Sequence, residues 1–330
     1  MPDAPQTDPG FQFVGHPAIE VPQTVQQLPD PLGPLARLVG DAKEARWKGE
    51  GFNAIWRPHP LAEGGQDRFL ELNITTETLV FKRIPGAIPN RGLLMPDINM
   101  FGVTYMQQIA ERHDPTEGLH VEPGIWASVP HTTNPAEPPT VVRMASIPHG
   151  TAMLAQGTGK TILGGPHIGE NNIIPFPVGT PPPPNSAFPA AEATFTELNL
   201  ATQTKFRHES PDISQQDLQK LVINPNSFLA KGLAGKTVVN TTVLAISTLH
   251  TPVKGGGTAN TAFLEAASFP PGGNAKAVEV DAIFWIEAIE GKSGAPNTHQ
   301  LQYTQLVQLD FNGLRWPHVS VATLELEQVE

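Results

Sequence analysis

From Trp47 onward the chain alternates. In FLELNITTETLVF, Leu70, Leu72, Ile74, Thr76 and Thr78 face one way, and Glu71, Asn73, Thr75 and Glu77 the other. That is the two-residue period of a β-strand. Short strands are also predicted at 101–110, 119–129 and 140–147, then at 194–206, 236–250, 277–291, 299–311 and 314–329. In AVEVDAIFWIEAIEG the face made by Val280, Ala282, Phe284 and Ile286 is wholly apolar and should be core. Asp281 and Glu287 lie on the opposite face, either solvated or lining a cavity, with surface carboxylates the simpler reading. Glycine and proline separate the strands at short intervals, as in closed antiparallel barrels.

Helical patterns are few. Residues 35–46, led by Pro34, predict a short helix with Leu35, Leu38, Val39 and Ala42 on one side. Two helical starts follow in succession, Ser210-Pro211 and Asn224-Pro225, giving a helical pair near 211–234. The segment PFPVGTPPPPNSAFPAA at 175–191 cannot be the interior of a strand or helix and reads as a linker. With 330 residues, two domains are the natural expectation. The fold predicted is all-β: two lipocalin-like or calycin-like antiparallel barrels in tandem. An extended arm with a short helix occupies 1–45, the first barrel 46–180, a proline-rich linker 181–189, and the second barrel with its helical pair 190–330.

Composition sharpens this picture. Proline contributes 35 of 330 residues, about twice the usual ~5%, which suits turns and strand ends rather than long helices. A net charge of −11 with no basic run argues against a nucleic-acid partner. The absence of cysteine excludes disulfides, thiolate metal sites and cysteine nucleophiles. No signal peptide and no bilayer-length apolar run is visible, so a soluble, cytoplasmic protein without a membrane span is expected.

Several motifs carry candidate chemistry. Gly157-Thr-Gly159-Lys160-Thr161 looks like part of a P-loop, but Leu154 stands where the first glycine is required, and a glycine-rich hairpin loop is the simpler reading. His120, Glu122 and Trp126 share one strand face, a carboxylate beside an imidazole and a large ring. The bland alternative is that both polar groups face water or bond to neighbouring backbone. Arg143 and His149 share a face with Ala145 and Ile147; the arginine is either an inward cation suited to a carboxylate or a surface residue. His318 points with Trp316, Ser320 and Ala322, and either bonds a backbone carbonyl or the phenol of Tyr303, or ligates haem.

Trp47-Lys-Gly49-Glu-Gly51, the run Leu119-His120-Val-Glu122-Pro-Gly124-Ile-Trp126, and the terminal His318-Val-Ser-Val-Ala322-Thr-Leu324 resemble three motifs of the nitrobindin-like and fatty-acid-binding-protein-like calycin barrels. The chain is also similar to an uncharacterised bacterial and fungal set sharing IPGAIPNRG, VRMASIPHG and FNGLRWPHVSVATL. The resemblance implies a calycin-type barrel and, at the position of His318, a proximal haem ligand. On the two-barrel division, the first two motifs fall in one half and His318 in the other.

The function expected is the binding of a small, largely apolar molecule in a barrel cavity, through His120, Glu122, Trp126, Arg143, His149, Tyr303 and Trp316. One alternative is a cofactor-independent enzyme performing proton transfer or isomerisation, with Glu122 and His120 as catalytic candidates. A second is haem binding through His318; no other cofactor or metal is expected. The oligomeric state is left open.

Overall fold

The computed structural model describes residues 30–60, 67–204, 206–207, 213–249, 255–265, 273–291, 295 and 297–329. The expected arm therefore lies largely outside the described residues. Ten strands carry the fold: β1 (Glu44–Pro58), β2 (Arg68–Arg83), β3 (Ile98–Glu111), β4 (Gly118–Val129), β5 (Thr140–Ile147), β6 (Thr151–Leu163), β7 (Val238–Ser247), β8 (Lys276–Ile289), β9 (Thr298–Phe311) and β10 (Leu314–Val329). Each pairs antiparallel with the next, and β10 returns to β1 with Gly51 opposite Ala322. The sheet is closed.

The tandem-barrel expectation does not hold for these strands. β6 pairs with β7 across the supposed boundary, Gly157 opposite Ile246, and the first and last strands pair with each other. Each half alone would leave two strand edges with unpaired backbone donors and acceptors; joining the halves removes all four edges. Most of the tight connections carry turn residues. Between β9 and β10, Asn312 and Gly313 both take positive φ, 50° and 75°, as a two-residue hairpin turn requires.

The proline-rich stretch runs along the outside of the wall. Phe176–Pro177 pairs with β10 at Arg315 and Leu314, residues 181–184 have no regular structure, and a short helix α1 (Phe188–Thr194) follows. The strand expected at 194–206 is instead a 3-10 turn at Thr196–Leu198 followed by bends. Its apolar residues Leu198 and Leu200 are buried against the sheet rather than paired into it.

The helical pair is present as α2 (Gln215–Ile223) and α3 (Ser227–Leu233). Ser214 caps α2, its hydroxyl accepting from the Asp217 amide at 3.1 Å. The expected start at Ser210-Pro211 lies outside the described residues. The helix expected over 35–46 is a 3-10 turn at Gly33–Leu38; Gly40 at φ 57° ends it, and residues 44–46 already belong to β1.

Two hydrophobic clusters result. One fills the barrel interior at the end closed by the 3-10 turn: Leu35 and Leu38 pack with Trp47, Phe81, Trp126, Phe284, Leu301 and Leu324. The indole of Trp47 donates to the Leu38 carbonyl at 2.9 Å, which fastens the plug. The other cluster covers the outer face of β1, β2 and β10 with α1 to α3, joining Phe52, Trp56, Leu72, Leu229, Trp316 and Val319. Trp285 belongs to that outer cluster, and Glu287, on the same strand face, is fully buried rather than solvated. Gly157 to Thr161 lie inside β6, which is neither a P-loop nor a hairpin loop. Among the described residues, no helix is long and apolar enough to cross a membrane.

Candidate functional site

The inward faces of the strands change character along the barrel axis. Toward the plugged end they are apolar; toward the other they turn polar. β2 shows this, with Leu79 and Phe81 in the interior cluster and Asn73, Thr75 and Glu77 buried on the same face. The alternation read from the sequence therefore has its apolar face, Leu70, Leu72 and Ile74, outside under the helices.

Above the polar zone lies a cavity of about 410 Å³, bounded in part by Ile55, Ile109, Leu119, Ile147, Val307 and Leu309. Register gives its depth. On β9, Tyr303, Gln305, Val307 and Leu309 climb in order; Ser320 stands opposite Gln305 and His318 opposite Val307. Tyr303, Gln305, Gln107 and Asn53 form the floor, His120 and His318 stand one step higher, and His149 and Arg57 lie toward the mouth. Leu264, from the short helix α4 (Ala262–Glu265), also borders the cavity.

Two buried networks underlie the floor. In the first, Glu122 accepts from Arg143 Nη2 at 2.5 Å, from the Tyr105 hydroxyl, and meets His120 Nε2 at 3.3 Å. Arg143 also donates to Tyr105 at 2.8 Å and to Gln305 Oε1 at 2.7 Å. Its guanidinium lies 5.2 to 5.6 Å from the ring centres of Tyr105, Phe284 and Trp126, an aromatic cage favourable to a desolvated cation. Burial alone would raise the Glu122 carboxyl; the Arg143 charge, with His120 and Tyr105, outweighs it and holds the group down to about 2. Glu122 is a fixed anion.

In the second network Tyr303 donates to Glu77 at 2.6 Å, Gln107 donates to Tyr303 at 2.9 Å, and Thr75 donates to the other Glu77 oxygen at 2.9 Å. Burial pushes Glu77 up to about 7 against the pull of those hydrogen bonds. Burial, then the nearby Glu77 charge, also raises the Tyr303 phenol.

These networks explain two of the motif glycines. A side chain at Gly124 would collide with the Tyr105 ring, and one at Gly51 would collide with Glu77 and Thr75. The glycines leave room for polar groups of neighbouring strands to reach beneath the floor.

Four of the residues singled out from sequence meet at the cavity: His120, His149, Tyr303 and His318. Glu122, Arg143 and Trp126 lie enclosed below it, and the first two reach it through His120 and Gln305. Arg143 is therefore neither a surface residue nor a free inward cation. Trp316 is elsewhere, stacked on Phe311 at 4.7 Å in the outer cluster with its indole donating to the Phe311 carbonyl. His318 does not bond Tyr303, whose hydroxyl is committed to Glu77; its partner is the Ser320 hydroxyl at 3.4 Å.

Although its edge faces the cavity, His318 lies deep below the protein surface. Burial, then the charges of His120 and His149, lowers its pKa to about 3, so the ring is neutral. Burial also lowers His149. His120 and His149 have ring centres 5.7 Å apart. Among the described residues, no group of three or more such side chains is placed to hold a free metal ion.

Sequence reasoning missed Asn53, Gln107, Gln305 and Ser320 as cavity residues. For these four no local pattern tells whether a polar residue points inward. No family model, no curated protein and no solved structure matches the chain.

Proposed function

We propose that the protein binds a small, largely apolar molecule inside the barrel, with the apolar body toward the mouth and a polar end on the floor. The observation that carries this reading is the cavity itself. It has apolar walls and a few convergent polar groups, and its volume of about 410 Å³ falls within the ~300–1,000 Å³ typical of small-molecule sites. An uncharged solvatochromic dye such as Nile red should bind the full chain with one-to-one stoichiometry. Ile109→Trp, which fills the cavity from its wall, should abolish that binding without unfolding the protein. Dye binding undiminished in Ile109→Trp would place the ligand elsewhere.

A second reading, haem bound through His318, has one observation in its favour. The imidazole is neutral, as iron ligation requires, and borders the cavity that also holds His120 and His149. His318 would hold the haem, which would supply an iron centre. A stoichiometric Soret band lost in His318→Ala would support this reading; a spectrum unchanged from free haem would reject it. For proton-transfer chemistry, Glu122 is unsuited to carry the proton, since its oxygens are engaged and its charge is fixed. That work would fall to His120, with Glu122 orienting it.

A further inference from the structure

One row of polar residues crosses four strands, three of them at the cavity floor and the fourth, Asn73, enclosed behind it. Asn73 on β2 stands opposite Asn53 on β1, Asn53 opposite Ser320 on β10, and Ser320 opposite Gln305 on β9. Neighbouring residues in such a row are one strand spacing apart, about 4.8 Å. Asn53 is 3% exposed and borders the cavity, yet its carboxamide oxygen has no hydrogen-bond partner; Asn73 is fully buried with neither amide atom partnered. The Gln305 oxygen is taken by Arg143. Since Arg143 can only donate, the Gln305 amide nitrogen remains as a donor.

Burying unpaired amide atoms is costly, on the order of 1–3 kcal/mol for each group. A molecule seated on the floor can supply the donor that the Asn53 oxygen lacks. The arginines and carboxylates of the floor and mouth are already committed to one another or to neighbouring hydroxyl and amide groups. Arg143 is enclosed with Glu122, Glu77 is enclosed with Tyr303, Thr75 and Gln107, and Arg57 at the mouth pairs with Glu71 at 2.7 Å. An ion on this floor would lose its hydration without gaining a free counter-charge.

We infer that the ligand bears an uncharged head with at least one hydrogen-bond donor, of the alcohol or carboxamide type, seated on the Asn53–Ser320–Gln305 row. This inference rests on the cavity-binding reading and names the chemical class of its ligand. A fatty-acid carboxylate fits this floor less well, because among the described residues no unpaired arginine or lysine borders it and the cavity imidazoles of His120, His149 and His318 stand above it.

The test is displacement of Nile red from the full chain by decan-1-ol, decanoate and decylammonium. Decan-1-ol should act at a concentration at least about tenfold lower than either ion. Asn53→Leu should weaken decan-1-ol about tenfold while displacement by decane is kept, which shows the cavity intact. If decanoate or decylammonium matches decan-1-ol on the unsubstituted chain, the neutral-head inference fails and the cavity reading stands. If Nile red does not bind at all, both fail. The comparison on the unsubstituted chain decides the matter even where Asn53→Leu does not fold.

Discussion

Glu77 illustrates how single residues set the conditions under which this barrel is stable. Its carboxyl, raised from 4.5 to about 7 by burial, favours the protonated form in the folded state. Its contribution is fully present below pH 4.5 and is lost as pH rises through about 7. The displacement corresponds to roughly 3 kcal/mol. His318 acts in the opposite direction. Lowered from 6.5 to about 3, it contributes fully above pH 6.5 and loses that contribution as pH falls toward 3. The groups facing Glu77 are Tyr303, Gln107 and Thr75, with the His120 charge beyond them. Replacing Glu77 with glutamine keeps the shape and removes the titration. Denaturant unfolding should show the stability gap between the native chain and Glu77→Gln moving by roughly 3 kcal/mol, to the disadvantage of the native chain, from about pH 5 to about pH 8. A gap that does not change with pH would mean that Glu77 does not titrate in this window.

Much of the fold was legible at the level of elements. The alternation in 68–83, 276–289, 298–311 and 314–329 identified β2, β8, β9 and β10, because side chains that point alternately to two environments leave a period of two in the sequence. The same signal misleads when an irregular segment packs under a sheet. The segment 194–206 alternates well enough to resemble a strand, yet Leu198 and Leu200 serve the outer cluster from a turn. The 3-10 turn at Gly33–Leu38 was expected as a longer helix, since its apolar residues fit either period over so few positions. The motifs His120-x-Glu122-x-Gly124-x-Trp126 and Trp47-x-Gly49-x-Gly51 were visible as patterns. Their physical sense appears only once β3 brings Tyr105 against Gly124 and β2 brings Glu77 against Gly51. Such neighbours cannot be read from either strand alone.

For the whole molecule, the decisive fact is that one cavity draws on both ends of the chain. His120 and His149 come from β4 and the turn after β5, Tyr303 and His318 from β9 and β10, and all border the same space. Length and a proline-rich stretch suggested two domains, a division that would have kept His120 and His318 apart. Neither feature reports strand pairing, and pairing between β6 and β7 and between β10 and β1 joins the halves. Cutting the chain in the exposed stretch at 181–184 tests this directly, with fragments 1–180 and 181–330 made separately. Six strands lie in one fragment and four in the other, each with two open edges. The single-barrel account predicts that neither fragment alone unfolds cooperatively or binds Nile red, and that mixing them restores both properties. A fragment that by itself shows a sharp unfolding transition and binds the dye would contradict it.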